Sequence, residues 1–199
     1  MKIVLFDTDT SGHHLTYAKY LITYFLNNGY KVFFITSKYN SINYNNDNLS
    51  VIYLNNKNSG FIQIKNFQYS LQLTAEINAD LVHWLHLDFK QIFAFLSLST
   101  SKGFNKKIFA TLFWNHLSKN KQLHQSIISI IKMYIQAYAF KKILKNKYFT
   151  GVFVPTYQMK YDLIENLHLS PALGEKIDII PDPAPSDVKI IDKLLAKKS

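Results

Sequence analysis

The residues able to do chemistry fall into three short stretches. The first is Ser11-Gly12-His13-His14, with Tyr17 one turn further on. The second is His83 and His86 with Asp88 close behind, and the third is Asn115-His116. Imidazoles hold or move protons on hydroxyl groups near neutral pH. A Ser-Gly turn ahead of a helix offers unpaired N–H groups to an anion, and Gly12 lets a ligand come close to the backbone. An ordinary strand-to-helix turn would also use Gly. The position directly behind a first buried strand favours the anion-binding reading.

His13 and His14 sit on the first helical turn, where the helix dipole disfavours imidazolium. A neutral ring there orients a hydroxyl or a phosphate. One of the pair faces the cleft and the other caps or packs. Neighbouring side chains on a helix diverge by about 100°, and no carboxylate cluster accompanies the pair, so no metal site is expected. Tyr17 either shares the cleft face or packs in the core. His83 and His86 bracket the end of a strand, the edge where open α/β sheets place ligands. They hold a ligand at that edge, or His83 serves as a hydrogen-bonded structural ring. His124 and His168 read as surface or packing residues.

Positioning these groups requires a parallel sheet. Short apolar runs alternate with helical patterns along the chain, the pattern of βα units. Strands are predicted at Lys2–Asp7, Lys31–Thr36, Leu49–Leu54, Asp80–Leu85, Lys107–Phe113, Thr150–Val154 and Ile177–Ile180. Helices are predicted at His13–Asn28, Phe61–Ala79, Phe89–Leu98, from about Ser118 to Tyr148 as one helix or two, and at Tyr157–Leu167. Gly29 suits the residue just past the first helix. Ser37–Asn48 is polar and Asn-rich, so it reads as a loop. Pro181, Pro183 and Pro185 punctuate the chain before an expected amphipathic helix at Val188–Lys198. The fold expected is α/β: a single Rossmann-like, doubly wound domain with a mostly parallel sheet of about seven strands.

Bulk properties narrow the partners. The 199 residues suit one α/β domain. All 23 basic residues are Lys, and the formal net charge is +10. Without a single Arg the chain lacks the planar fork that grips guanine and phosphate, which argues against a base-reading nucleic-acid partner. Excess Lys instead favours an anionic membrane face or anionic ligands. Lys132 to Phe149 mixes Lys with Tyr, Phe and Ile. It is either an amphipathic basic-aromatic face for a bilayer or a core-packing helix with a solvated Lys face. There is no Cys, which fits a reducing compartment. The opening apolar run is too short for a signal peptide, and no run approaches the roughly 20 residues of a membrane span. A cytoplasmic protein, peripheral to the inner membrane face, is expected.

Four segments in order resemble the N-terminal domain of glycosyltransferase family 4 and its GT-B relatives. They are the first strand with Ser11-Gly12-His13-His14-Leu15-Thr16-Tyr17; Asp80-Leu81-Val82-His83-Trp84; Ala110-Thr111-Leu112-Phe113-Trp114-Asn115; and Val152-Phe153-Val154-Pro155-Thr156 followed by Ile177-Asp178-Ile179-Ile180-Pro181-Asp182-Pro183. The resemblance implies a GT-B N-terminal, acceptor-side domain over residues 1–182 and an interdomain linker or helix over 183–199. The C-terminal donor domain is then expected to be absent. In the family that second domain supplies most nucleotide-sugar contacts, including two Glu eight positions apart, whereas the only Glu here are Glu76, Glu165 and Glu175.

By the same resemblance, Ser11, Gly12, His13, His14, Tyr17, His83, His86 and Asn115 contact acceptor or phosphate. Family members often carry a His directly after "A-T-L". Phe113 stands there, so His116 is the candidate catalytic group, and loss of the catalytic position is the alternative. The implied activity is sugar transfer from a nucleotide sugar to a glycan or lipid-linked acceptor without a metal or other cofactor. The chain is expected to be inactive unless a donor domain joins it from elsewhere. The competing expectation is a noncatalytic binding module derived from a half-enzyme.

Overall fold

The computed structural model describes residues 1–7, 13–37, 46–54, 60–87, 91–92, 95–96, 106–112 and 127–180. Seven strands form one sheet: β1 (Lys2–Asp7), β2 (Lys31–Ser37), β3 (Leu49–Leu54), β4 (Leu81–Trp84), β5 (Lys107–Thr111), β6 (Phe149–Val154) and β7 (Ile177–Ile179). Their order is β3-β2-β1-β4-β5-β6-β7, and every neighbouring pair is parallel. The expected single α/β domain is the one observed. Central strands covered on both sides need near-continuous apolar sequence, and β1 provides it, with Ile3 to Phe6 all buried.

The helices are α1 (His13–Asn27), α2 (Gly60–Glu76), α3 (Ile127–Leu144), α4 (Tyr157–Asn166) and α5 (Pro171–Gly174). Right-handed crossovers decide which face each one covers. The chain first winds outward from β1 to β2, which puts α1 on one face. Tyr17, Ala18 and Ile22 pack there against Ile3, Leu5, Val32 and Phe34. It then returns through β4 to β7, so α2, α3 and α4 lie on the opposite face. Phe67, Phe140 and Leu163 from those helices join Val4, Phe6, Trp84 and Val152 in the larger core. Trp84 anchors that core, with ring centroids 4.7 Å from Phe67 and 5.5 Å from Phe95. Edge-on aromatic pairs of this kind contribute about 0.5–1.5 kcal/mol each beyond their buried area.

Three helices end in the same device. In α1 the amide of Tyr30 reaches back to Phe25 and that of Gly29 to Leu26, with Gly29 at φ 74°. In α2 the pairs are Ala79 to Thr74 and Asn78 to Ala75, with Asn78 at φ 54°. In α4 they are Leu169 to Ile164 and His168 to Glu165, with His168 at φ 46°. A left-handed residue turns the chain so that two orphan carbonyls are satisfied. His168, read as a surface or packing residue, is therefore a helix terminator. The same geometry ends α2 at Glu76, short of the expected Ala79.

Two other differences from the expected elements have local causes. α5 was not anticipated, although Ser170-Pro171 is its signal: an extended residue before a Pro that starts the helix. β4 runs over Leu81–Trp84, shorter than Asp80–Leu85, and Asp80 serves instead as a latch at the amino edge. Its Oδ2 accepts the Lys2 amide at 2.7 Å, while Lys2 Nζ donates to the Ile77 carbonyl at 2.9 Å. The expected helix at Phe89–Leu98 is described only at Gln91–Ile92 and Phe95–Leu96, which are helical. Residues 118–126 and the predicted helix Val188–Lys198 lie outside the described residues.

Candidate functional site

Strand order reverses between β1 and β4, and the crevice outside the carboxyl ends of two such strands is where open sheets bind ligands. Three elements converge there. β1 ends at Asp7, α1 begins with His13 and His14, and β4 carries His83 with His86 just beyond it. In a buried strand every second residue faces the same side, so Ile3, Leu5 and Asp7 all point toward α1. An apolar strand that ends on a charge delivers that charge to the sheet edge.

Asp7 is only 1% exposed, and its Oδ2 lies 3.0 Å from His14 Nδ1. An ionised carboxylate only accepts, so the His14 proton sits on Nδ1. Nε2 is then the ring nitrogen that Asp7 does not engage. The His14 and His86 rings lie 4.7 Å apart, centroid to centroid, tilted by 55°. His86 is half-buried and His14 keeps a small exposed remainder. Asp7, His14 and His86 thus form a row, a carboxylate behind one imidazole with a second beside it. Such a row can hold a hydroxyl and accept its proton.

Beneath this row lies a buried polar knot. His83 Nε2 is 2.8 Å from Thr111 Oγ1, and the Thr111 hydroxyl donates to the Tyr17 oxygen at 3.3 Å. Since Thr111 spends its only proton on Tyr17, it accepts from His83 Nε2–H. Burial lowers the His83 pKa from 6.5 to about 3, because the charged ring cannot be solvated there. His83 is therefore neutral at any ordinary pH. The Tyr17 ring meets His83 edge-on at 6.3 Å, and Phe153 flanks it at 5.6 Å. Tyr17 and His83 present almost no surface, and they meet each other, Thr111 and the core.

Thr36 Oγ1 lies at the same edge, on the residue paired in register with Asp7. Among the described residues it is buried without a hydrogen-bond partner.

Of the residues singled out in the sequence, the structure brings His14, Tyr17, His83 and His86 together. His13 opens α1, and its side chain lies outside what is described. Ser11, Gly12, Asp88, Asn115, His116 and His124 lie outside the described residues altogether. Two partners were missed. Asp7 carried a signal, a lone charge closing an apolar strand. Thr111 carried none beyond its place in the Ala-Thr-Leu run. Among the described residues no group of three or more His, Asp or Glu is placed to hold a metal ion.

No family model matches the chain, and no curated protein matches its sequence. Solved structures do match its shape. A sucrose-phosphate synthase from Thermosynechococcus elongatus superposes with a TM-score of 0.53 at 14% identity, covering 100% of this chain and 97% of that one. A lipopolysaccharide outer core galactosyltransferase in its apo form gives 0.52 at 16% identity, over 95% of this chain and 50% of that one. The UDP-GlcNAc 2-epimerase from Neisseria meningitidis bound to UDP-GlcNAc gives 0.52 at 13%, over 90% and 45%. The fold is GT-B-like. At these identities the likeness is one of architecture, shared by glycosyltransferases and epimerases alike. The chain spans about half the length of the galactosyltransferase and of the epimerase.

Proposed function

We propose that this chain is the N-terminal, acceptor-side half of a GT-B glycosyltransferase. The observation that carries the reading is the Asp7–His14 pair, buried at the carboxyl edge of the sheet beside the point where strand order reverses. In this reading Asp7 fixes the His14 tautomer and orientation, and Nε2 would accept the proton of an acceptor hydroxyl. The same division of labour recurs wherever a carboxylate backs an imidazole. His86 lines the same edge. Tyr17, His83 and Thr111 act as positioning residues, because they hold β4, β5 and α1 together directly under the pair. Ser11, Gly12 and His13 would present N–H groups to the donor phosphates, and Asn115 and His116 would reach the reacting sugar from the loop after β5.

In this reading a nucleotide sugar is held chiefly by a second, donor-binding domain, joined in the same polypeptide or supplied by another. Residues 1–182 form the acceptor domain, 183–199 link it to its partner half, and the acceptor is a glycan or lipid-linked sugar. No metal is needed, because fixed dipoles at the helix start would stabilise the diphosphate leaving group.

Two measurements test this. The purified 199-residue chain, given UDP- and GDP-sugars with simple glycan acceptors, should show no turnover, and robust turnover would refute the half-enzyme assignment. In the same samples, histidine ring NMR signals of His14 and His86 should move as acceptor is titrated, while exposed His168 stays fixed. If His14 and His86 are indifferent to every acceptor and nucleotide tried, the noncatalytic module is the correct reading.

A further inference from the structure

The outer ridge of α3 is apolar where solvent should face charge. Ile131, Tyr134, Ile135 and Tyr138 are 53%, 65%, 50% and 68% exposed. Their spacing of three and four residues places them on one arc of the helix, one above the other. Ala139, Phe140, Ile143 and Leu144 are buried on the opposite arc. The helix is thus apolar on both sides, whereas a surface helix of a globular domain normally pairs one apolar stripe with a polar one. Scattered exposed apolar residues need no explanation, but a contiguous ridge marks a surface that something covers.

Charge indicates the partner. The same arc continues through Lys142 to Lys145, both exposed, and Lys147 is exposed just beyond the helix. Between Asp88 and Asp162 the chain carries twelve Lys and neither Asp nor Glu. A protein–protein interface is depleted in Lys at its core and needs counter-charges at its rim. A nucleic-acid surface of this type would stack aromatics in a groove, whereas this is a convex ridge with Ile between its tyrosines. Tyr and Ile flanked by Lys, facing outward, match a bilayer interface: rings at headgroup depth and ammonium groups on lipid phosphates. No described helix is long and apolar enough to cross a membrane, so the ridge would lie on the surface. We propose that the α3 ridge Ile131–Tyr134–Ile135–Tyr138, with Lys142 and Lys145, docks this protein onto an anionic lipid bilayer.

As the crossover between two parallel strands, α3 runs antiparallel to them, so its Ile131 end lies toward the carboxyl edge. Docking through this ridge would bring that edge near the lipid surface. The proposal stands without the sugar-transfer reading.

The test is co-sedimentation of the full chain with large vesicles of pure phosphatidylcholine or of phosphatidylcholine containing about one-third phosphatidylglycerol, a strongly anionic surface. Binding to the anionic vesicles alone, weakened by added salt, is expected. Tyr134→Ser combined with Tyr138→Ser should weaken it about tenfold, and Lys142→Glu at least about fivefold. Lys19→Glu, the same charge change on exposed α1, should weaken it far less. All substituted positions are exposed, so thermal unfolding should be unchanged. Because the chain has no Cys, Tyr138→Cys offers a unique attachment point for a polarity-sensitive dye. Its emission should shift blue on anionic vesicles. No binding, equal binding to both vesicles, equal loss from Lys19→Glu and Lys142→Glu, or an unshifted dye each overturns the proposal. So does concentration-dependent self-association or oligonucleotide binding that the two Tyr substitutions abolish while vesicle binding persists.

Discussion

Lowering the pH from 7 to 5 should destabilise this fold by about 2 kcal/mol through His83 alone. The ring is buried and its pKa is lowered to about 3, against 6.5 when exposed. Between those values the unfolded chain takes up a proton that the folded chain refuses. The His83 contribution is therefore intact above pH 6.5 and falls as pH drops below it, by about 1.4 kcal/mol per unit, until the folded ring itself titrates near 3. From 6.5 to 5 that is about 2 kcal/mol, a sizeable share of the roughly 5–15 kcal/mol that holds a domain together. Any folded pKa below about 4 yields nearly the same figure at pH 5.

Urea unfolding of the native protein and His83→Gln at both pH values isolates the effect, because contributions of the other six histidines cancel in the difference. The advantage of the native chain over the variant should shrink by about 2 kcal/mol between pH 7 and 5. Histidine ring NMR supplies a second readout that needs no variant: the His83 signal should stay flat from pH 7 to 5. A stability difference that does not change with pH, or a His83 signal titrating near 6.5, would refute the buried neutral ring.

Three further outcomes are expected. Asp7→Asn removes the charge that holds the His14 proton on Nδ1, so nitrogen-15 ring shifts should reveal a mixed tautomer. With a donor half supplied, turnover should fall about 10²- to 10⁴-fold, mainly in kcat. Gly151→Ala would push a methyl to 3.0 Å from the Lys176 carbonyl oxygen and 3.7 Å from the Phe109 ring; a loss of about 1–3 kcal/mol, read as a lower Tm, is expected. Lys176 Nζ donates to the carbonyls of Leu144 and Phe149 at 2.8 Å each, tying the end of α3 to the start of β6. Lys176→Met keeps the stem and removes the donors, and should cost about 1–3 kcal/mol in urea unfolding.

Much of the fold was legible because its signals are local. The periodicity of β1, α1 and β3 and the Gly29 stop depend on neighbours within a few residues, and their limits agree with the structure to about one position. Less legible were the ends set by a left-handed residue other than Gly. Asn78 is of a type that tolerates the left-handed region and offered a weak stop signal, whereas His168 offered little; their φ values are 54° and 46°. The candidate site was half legible. His14, His83 and His86 stood out by residue type, but the sequence offered no means of telling the ring at the edge from the ring in the core. It also left Asp7 looking like the end of a strand and Thr111 like filler.

The amino-acid sequence by itself determined the alternation of strand and helix, the parallel α/β class and the Lys-only basic character. Each follows from composition or from spacing along a few turns of chain. Only the tertiary structure decided that His14 meets Asp7, that His83 is sealed against Thr111 and Tyr17, and that Tyr134 and Tyr138 stay outside. Thr111 and Tyr17 are 94 residues apart and His83 and Thr111 are 28 apart. Contacts over such distances depend on strand order, crossover hand and the facing of each side chain. They exist only once the sheet has closed around them.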